Sequence, residues 1–445
     1  MKDVKILAYT LHYTMIMKDK GYIGGAWIRF MEFLRRADKF DLKYVLVEPF
    51  PRLGGDNYES IKAADIRSYK KVGDTALMIL YATFKGIRRT LKGDIALILN
   101  PIESPYGTIP AFITSLITRI PFTVIVHNAP VFHYLIEKYP EKKFSSSLRG
   151  LYGAIRYYKH KGKPIHYAIL STLFYYAAFR IMKTTTIIGI GSGATYLQSL
   201  DKKLRVKEVF PGNSIPSSVS SAIKPSNSKK YYDAVYVGTL KAEKGILDAI
   251  RAWKLVTDWN PSLKLAVIGS VHKASVSEKT TIMDTIELLI TRHGLKDNVH
   301  IIGDPMIGAQ TEEVLKVMKE SRIMLYPTTM DSWSFAVGEA LSFGLPVVAY
   351  DIQAFNIAYQ NCKALIRVPV GNIRLLYRKV RNLLEEPSKL ASLSKEALRY
   401  IENYYTWDQV IAAEKKLYKS LFLGEINKSY SKRLLPKCDI PNCNE

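Results

Sequence analysis

The stretch IMLYPTTMDSWSFAVGEALSFGLPVVAYD, residues 323–351, decides the fold class of this protein. It opens on an apolar run and closes on a second one at 347–349, with a segment of helical length at 335–343 between them. Gly344 favours the end of that helix, and Pro346 opens the next strand. Both runs are continuously apolar, which is typical of parallel strands buried on both faces. The stretch therefore predicts a strand–helix–strand unit of a parallel α/β sheet.

Similar apolar runs, separated by helical-length segments, recur on both sides of this unit. This alternation predicts an α/β protein with right-handed crossovers. We expect two Rossmann-like, doubly wound parallel-sheet domains that face a cleft. The predicted strands are 4–9, 44–47, 95–99, 122–126 and 185–190 in the first half, and 234–237, 265–268, 299–302, 323–326, 347–349 and 365–368 in the second.

One segment between the halves, 216–230, is dominated by serine, proline and lysine and has no periodicity. Such a composition is typical of a linker. The predicted organisation is an N-terminal Rossmann-like domain, this linker, a C-terminal Rossmann-like domain, a C-terminal helix whose regular part is 407–421, and a basic tail. Their predicted bounds are 1–215, 216–230, 231–400, 401–424 and 425–445.

Composition excludes several protein classes. The chain has 445 residues, of which 48% are hydrophobic and 23% charged, so it is neither disordered nor low-complexity over most of its length. Three cysteines do not make a disulfide scaffold, and no histidine cluster accompanies them as in a zinc module. No secretory signal is recognisable, and the apolar stretch 165–182 is marginal for a membrane span because it contains His166 and Arg180. We expect a cytoplasmic protein.

The charge balance points to an anionic partner. Lysine and arginine number 64 against 40 acidic residues, a net charge of +24. Segment 137–183 is especially basic and is interleaved with tyrosines, which suits the headgroup region of an anionic membrane. Peripheral attachment at the cytoplasmic membrane face is one hypothesis, and a solvated helical pair with a buried tyrosine face is the other. Nucleic-acid binding is a further alternative, although no nucleic-acid-binding motif is present.

Residues that follow the predicted strands are candidates for a site, because open α/β sheets bind ligands at the carboxyl ends of their strands. Asp331 precedes a predicted helix that begins near Ser334 and Phe335, and Glu339 lies further along it. A helix N-terminus offers free N–H groups to a diphosphate, and the two carboxylates can hold hydroxyls of a sugar and a ribose. The alternative is that Asp331 only caps the helix and Glu339 is solvated.

Residues 326–351 resemble the signature of retaining glycosyltransferases of family 4. That signature has two glutamates with seven residues between them, followed by a Gly-x-Pro-Val-Val-Ala turn and strand and then an acid. Glu339 matches, Asp331 stands where the family has glutamate, and Trp333 and Ser334 replace its Phe-Gly.

A second segment, 235–250, is similar to the Val-Gly-Arg-Leu…Glu-Lys-Gly segment of the same family. In the family its arginine and lysine neutralise the departing diphosphate. Gly238 and Lys244 match, Thr239 replaces the arginine, and Lys241 is placed to compensate. The resemblance thus implies that Gly238, Lys241 and Lys244 bind the donor phosphates, together with Ser334 and Phe335 at the helix start.

The first domain resembles the family more weakly. Gly24 and Gly25 are similar to the Gly-Gly loop that contacts the acceptor or the phosphates, and His127 is similar to the strand-end histidine that faces the donor sugar. The resemblance implies a catalytic set of His127, Asp331 and Glu339.

The activity implied by the resemblance is transfer of a sugar from a nucleotide-diphosphate sugar to an acceptor hydroxyl on a glycan, lipid or protein, with retention of configuration. It implies no metal and no cofactor. The alternatives are a sugar-nucleotide epimerase or phosphorylase on the same scaffold, and a non-catalytic relative, which the substitutions at Asp331 and Thr239 make conceivable.

Overall fold

The computed structural model describes most of both predicted domains. The described residues are 4–11, 25–48, 58–62, 72–102, 104–127, 173, 177–178, 180–182, 184–200, 202–220, 230–269, 282–303 and 311–422. Gly24, nearly all of the basic segment 137–183 and the predicted tail 425–445 lie outside them, so the predictions made there stay predictions.

The first domain is built on a seven-stranded parallel sheet in the order β3-β2-β1-β4-β5-β6-β7. Its strands are β1 Val4–Tyr9, β2 Leu42–Glu48, β3 Tyr58–Lys62, β4 Leu97–Asn100, β5 Phe122–Val126, β6 Thr186–Ile190 and β7 Arg205–Val209. The described helices of this half are α1 Gly25–Arg36, α2 Val72–Thr90, α3 Pro105–Thr118, α4 Ser192–Leu200 and α5 Ser217–Ser220.

The second domain is built on a six-stranded parallel sheet in the order β10-β9-β8-β11-β12-β13. Its strands are β8 Tyr232–Val237, β9 Leu265–Ile268, β10 Val299–Ile302, β11 Ser321–Tyr326, β12 Val347–Tyr350 and β13 Leu365–Val368. Its helices are α6 Ile246–Trp259, α7 Ile282–Arg292, α8 Thr311–Lys319, α9 Phe335–Ser342, α10 Gln353–Ala358, α11 Ile373–Glu385, α12 Pro387–Glu402 and α13 Trp407–Phe422. The strand order reverses between β8 and β11, which is the point where open α/β sheets bind ligands.

All eleven predicted strands are confirmed, each with bounds within two residues of the prediction. Two strands were missed, β3 with the sequence YESIK and β7 with RVKEV. They form the two edges of the first sheet and are largely exposed or half-buried. Edge strands keep polar residues, so a search for continuous apolar runs passes over them.

The predicted linker is not irregular throughout, because its start forms the short helix α5. The Glu32 carboxylate accepts hydrogen bonds from the backbone N–H and the hydroxyl of Ser217, at 3.1 and 2.8 Å. These bonds satisfy groups at the start of α5, which the serine-rich composition by itself did not indicate. The predicted domain boundaries stay predictions, since residues 221–229 lie outside the described part.

The last helix, α13, confirms the helix predicted at 407–421. It contacts the first domain. Glu414 of α13 forms an ion pair with Arg29 of α1, and both side chains are buried. Arg29 Nε also donates to the Gly212 carbonyl oxygen at 2.9 Å, and the Tyr418 hydroxyl donates to Glu414. The C-terminal end of the described chain is therefore fastened to the first domain by a buried charge pair.

No helix within the described residues is long and apolar enough to cross a membrane.

Candidate active site between the domains

Two loops meet where the strand order of the second sheet reverses. One follows β8 and carries Gly238 to Gly245, and the other follows β11 and carries Pro327 to Ser334. Parallel strands end at the same edge of a sheet, so the two loops approach each other closely. The residues singled out in the two separate sequence segments are thereby brought together.

A glycine makes this approach possible. Residues Ala242–Lys244 form a 3-10 turn that ends at Gly245, whose φ is +79°. A Cβ at this position would lie 1.9 Å from the Pro327 carbonyl oxygen. Gly245 is therefore required both by its left-handed backbone and by the contact with the second loop.

Lys244 reaches the second loop from this turn. Its ammonium donates to the Met330 carbonyl oxygen at 3.0 Å and lies 3.2 Å from Asp331 Oδ2. Both side chains are mostly buried, with 22% of Lys244 and 11% of Asp331 exposed. The pair thus places a cation and a carboxylate at the point where the strand order of the second sheet reverses.

Asp331 has two further contacts. The Tyr326 hydroxyl donates to its Oδ2 at 3.0 Å, and the Ser332 backbone N–H donates to its Oδ1 at 2.9 Å. Burial raises the pKa of Tyr326 well above its usual value, and the nearby Asp331 carboxylate adds to the shift. Tyr326 therefore stays protonated and acts as a hydrogen-bond donor that fixes the orientation of the carboxylate.

Ser334 precedes α9 in an unusual conformation. Its φ is +55°, and its Oγ is buried without a well-formed hydrogen bond. A left-handed backbone favours glycine, which accounts for the glycine that the resembling signature has here. The predicted helix start at Phe335 is confirmed, but the Phe335 ring packs near Trp407, with centroids 6.5 Å apart.

Glu339 lies in α9 and is half-buried, not fully solvated. No described residue gives its carboxylate a hydrogen bond. Desolvation by burial raises the pKa of Glu339 to about 7. A carboxylate held in a protein without a partner is one that a ligand hydroxyl can satisfy.

Gly238 and Lys241 lie on the β8 loop as predicted. Gly238 directly follows the strand and donates its N–H to the Ile268 carbonyl oxygen at 3.0 Å. Lys241 Nζ lies 3.7 Å from Glu243 Oε1, at the start of the 3-10 turn. The Tyr236 hydroxyl, which the sequence did not single out, donates to the Lys244 carbonyl oxygen at 3.0 Å and braces the turn from below.

In the first domain, His127 follows β5 and is buried. Its Nε2 lies 3.0 Å from the Pro101 carbonyl oxygen, which only accepts, so Nε2 carries the hydrogen. Desolvation and the charge of Arg29 lower the pKa of His127 to about 3. The ring is therefore neutral at physiological pH and is suited to hydrogen bonding, not to general acid catalysis. Gly25, also predicted, is the first residue of α1.

The two domains touch at the loop after β11 through residues that the sequence analysis did not single out. Ser192, at the start of α4, donates its hydroxyl to the Asp331 carbonyl oxygen at 2.7 Å and its N–H to that of Ser332 at 3.2 Å. The preceding Gly191 has a φ of +53°, and a Cβ there would lie 2.2 Å from the Ser332 carbonyl oxygen. The feature of the sequence that could have pointed to Ser192 was the Gly191-Ser-Gly193 run directly after an apolar strand.

Trp333 fills the space between the domains. It is buried, its Nε1 donates to the Tyr404 hydroxyl at 2.9 Å, and its ring lies 6.1 Å from that of Phe210. A Cβ at Gly212 would come within 2.9 Å of the Trp333 ring. Trp333 therefore packs between the two domains, and the absence of a side chain at Gly212 leaves room for its ring.

Comparison with known proteins gives a family match for the second domain. Residues 220–400 match the family model described as Glycosyl transferases group 1. This range contains all six strands of the second sheet together with Lys244, Asp331 and Glu339. Residues 220–400 are thus similar to a group 1 glycosyltransferase domain, and a transferase enzyme is the class that this match supports. Membership of family 4 and retention of configuration stay predictions.

A curated relative agrees with this class. The capsular polysaccharide biosynthesis glycosyltransferase CapM of Staphylococcus aureus is 20% identical over 190 residues, which are 43% of this chain and 46% of that protein. The alignment spans less than half the length of that relative.

Solved structures confirm the fold. Sucrose-phosphate synthase from Thermosynechococcus elongatus superimposes with a TM-score of 0.65 at 14% identity, over 95% of this chain and all of the other. HepE from Anabaena, in complex with UDP-glucose, gives a TM-score of 0.61 at 15% identity, over 94% of this chain and 99% of the other. The two facing Rossmann-like domains are therefore the GT-B fold, as predicted.

Proposed function

We propose that this protein transfers a sugar from a nucleotide-diphosphate sugar to an acceptor hydroxyl, with retention of configuration, in the cleft between its two domains. The observation that carries the proposal is the Lys244–Asp331 pair, with its 3.2 Å separation, at the reversal point of the second sheet. The cation suits the diphosphate of such a donor, and the oriented carboxylate beside it suits the hydroxyls of the adjoining sugar.

The donor is held by complementary groups. The Lys244 ammonium and the N–H groups at the start of α9 bind the diphosphate, with Lys241 and the backbone at Gly238 nearby. Asp331 accepts hydrogen bonds from sugar hydroxyls and Glu339 from those of the ribose. HepE, whose solved complex contains UDP-glucose, supports a nucleotide sugar as the donor class.

Catalysis follows from stabilising the leaving group. The bond between the sugar's anomeric carbon and the phosphate oxygen breaks, and negative charge grows on the diphosphate beside Lys244. The acceptor oxygen attacks from the same face, and its proton passes to the leaving phosphate oxygen. Neutral His127, whose Nε2–H is bonded to the Pro101 carbonyl oxygen, accepts a hydrogen bond at Nδ1 near the sugar without changing its charge. We propose that neither a metal ion nor a cofactor takes part.

The acceptor belongs to the first domain, and a glycan or lipid-linked acceptor suits a basic protein. We propose that the enzyme works at the cytoplasmic face of a membrane, where the basic, tyrosine-rich segment 137–183 would contact anionic headgroups.

The test begins with a panel of nucleotide sugars in a thermal-shift assay, because a ligand that binds only the folded protein raises the melting temperature. The best donor is then assayed for transfer with Lys244→Ala and Glu339→Ala. We expect both variants to fold and to lose transfer. The matched control is Lys254→Ala, which removes a lysine paired with Asp258 on the outer face of α6.

Wild-type turnover in Lys244→Ala or Glu339→Ala would refute the assignment. Product analysis separates the remaining alternatives, since an epimerase converts the donor without an acceptor and a phosphorylase needs only phosphate. A donor that binds but is never converted identifies a non-catalytic relative.

A further inference from the structure

The outer face of α2 carries a stripe of large apolar side chains. Leu77, Leu80, Tyr81 and Phe84 recur at helical spacing, and Leu91 continues the stripe just past the helix end. Each of these five residues is at least half exposed. From residue 77 to residue 91 the stripe runs about 20 Å at 1.5 Å per residue. Scattered single apolar residues are normal on a surface, whereas an aligned row of this length is not.

The neighbouring helix α3 extends the surface. Leu116 and Ile117, near its C-terminal end, are also more than half exposed. The two helices pack so closely that a Cβ at Gly86 of α2 would lie 3.2 Å from Thr114 Oγ1 of α3. The two helices pack side by side, and we call their seven exposed apolar side chains together the α2–α3 face.

Most of the charged residues in and beside this face are basic. Lys85, Arg88, Lys92 and Arg119 lie in or beside it, and none of them has an ion-pair partner among the described residues. Arg88 falls within the apolar stripe at the same helical spacing. The nearby described carboxylates are already engaged elsewhere: Glu59 and Asp94 are both bound by Arg89, which is buried. The face thus combines exposed leucine and phenylalanine with unneutralised cations.

We propose that the α2–α3 face is a docking surface for an anionic lipid bilayer. Large apolar side chains insert to the level of the acyl boundary while lysine and arginine contact the lipid headgroups, and this face presents both on one side of the fold. The net charge of +24 favours approach to such a surface. The proposal uses only described residues and does not depend on the segment 137–183.

A second copy of the chain fits this face less well. In a two-fold symmetric dimer the same patch meets itself, so the four cations of one copy would face those of the other. A bilayer of acidic lipid neutralises these cations instead. The choice of occupant therefore rests on charge complementarity.

The experiment is flotation of the full chain with vesicles of phosphatidylcholine, with and without phosphatidylglycerol. We expect the wild type to float with the anionic vesicles and to be released by salt. Leu80→Glu/Phe84→Glu should weaken binding about tenfold or more, since it places charge in the inserted stripe. Arg88→Gln/Lys92→Gln should weaken binding about fivefold for each cation removed at low salt.

The matched control is Leu288→Glu, since Leu288 on α7 of the second domain is 62% exposed against 65% for Leu80. This variant should float like the wild type. The proposal is overturned if the wild type does not float, or if Leu80→Glu/Phe84→Glu floats unchanged.

Two further measurements identify the other occupants, and each outcome would also overturn the proposal. A dimer mass by light scattering that falls to a monomer in Leu80→Glu/Phe84→Glu identifies a second copy. A melting temperature that drops far more in this variant than in Leu288→Glu, with flotation unchanged, identifies a segment of the same chain as the cover. Flotation requires no sugar transfer, so its failure and the failure of the proposed function are distinguishable.

Discussion

At the scale of single residues, the site combines groups whose environments differ sharply. Asp331 is held by Lys244, Tyr326 and a backbone N–H, whereas Glu339 is half-buried with no partner among the described residues. An unpartnered carboxylate costs the free protein stability when it is ionised. A ligand hydroxyl that binds Glu339 would offset this cost.

The pKa of Glu339, raised to about 7, sets the pH range in which this cost is observed. Below the ordinary pKa of 4.5 the group is protonated in both the folded and unfolded states and costs nothing. Above pH 7 it is ionised in both states and the cost is complete. We therefore expect Glu339→Gln to raise the free energy of unfolding at pH 8 by up to about 3 kcal/mol, and to change it little at pH 4.

Thermal unfolding at the two pH values measures this difference. Glu287→Gln, at an exposed position of α7, is the control and should have no pH-dependent effect. An equal effect of Glu339→Gln at both pH values would contradict the desolvation of Glu339.

At the scale of elements, the turn between β8 and α6 controls the position of Lys244. The 3-10 turn, the left-handed Gly245 and the contact with Pro327 form one connected unit. Tyr236 supports it from the strand below by donating to the Lys244 carbonyl oxygen. A change in this turn moves the cation relative to Asp331, so backbone geometry here is part of the proposed donor site.

Gly245→Ala tests this unit against Gly371→Ala. Gly371 has nearly the same φ, +80°, but no atom lies within 4 Å of a Cβ added there. Gly371→Ala should cost only the left-handed strain of about 1 kcal/mol. Gly245→Ala adds a backbone clash, and we expect about 3 kcal/mol or more together with loss of nucleotide-sugar binding. Melting temperatures and the thermal shift with donor measure both effects, and equal losses in the two variants would argue against a special role for the turn.

At the scale of the whole molecule, the last described helix links the halves of the chain. Glu414 of α13 and Arg29 of α1 form a buried ion pair, and the Gly212 carbonyl oxygen accepts from the same guanidinium. Arg29 also contributes to the lowered pKa of His127. The α1–α13 contact therefore influences both the fastening of the C-terminal helix and the electrostatics beside the cleft.

Removing one partner of this pair leaves the other charge buried and uncompensated. We expect Glu414→Ala to lower the free energy of unfolding by about 3–5 kcal/mol. Glu414→Met combined with Arg29→Met should recover much of that loss, because neither charge then remains. Asp408→Asn is the control, since it removes an exposed pair with Lys39 and should cost less than about 1 kcal/mol. Denaturant unfolding checks all three, and a loss under 1 kcal/mol in Glu414→Ala would refute the buried-pair account.

The sequence by itself determined the parallel α/β class and eleven of the thirteen described strands, because strands buried on both faces must be continuously apolar. It also located the residues that β8 and β11 carry to the cleft, since strand ends and their glycines are local features. It did not reveal the edge strands β3 and β7, whose polar residues meet solvent.

Only the tertiary structure paired Lys244 with Asp331, bonded Ser192 to the loop after β11 and paired Glu414 with Arg29. Each of these contacts joins residues at least 85 positions apart, so no local pattern encodes it. The exposure of the α2–α3 face is also decided by the tertiary structure. Apolar residues lie around most of the circumference of α2, and only its packing against the sheet and α3 determines which of them stay exposed.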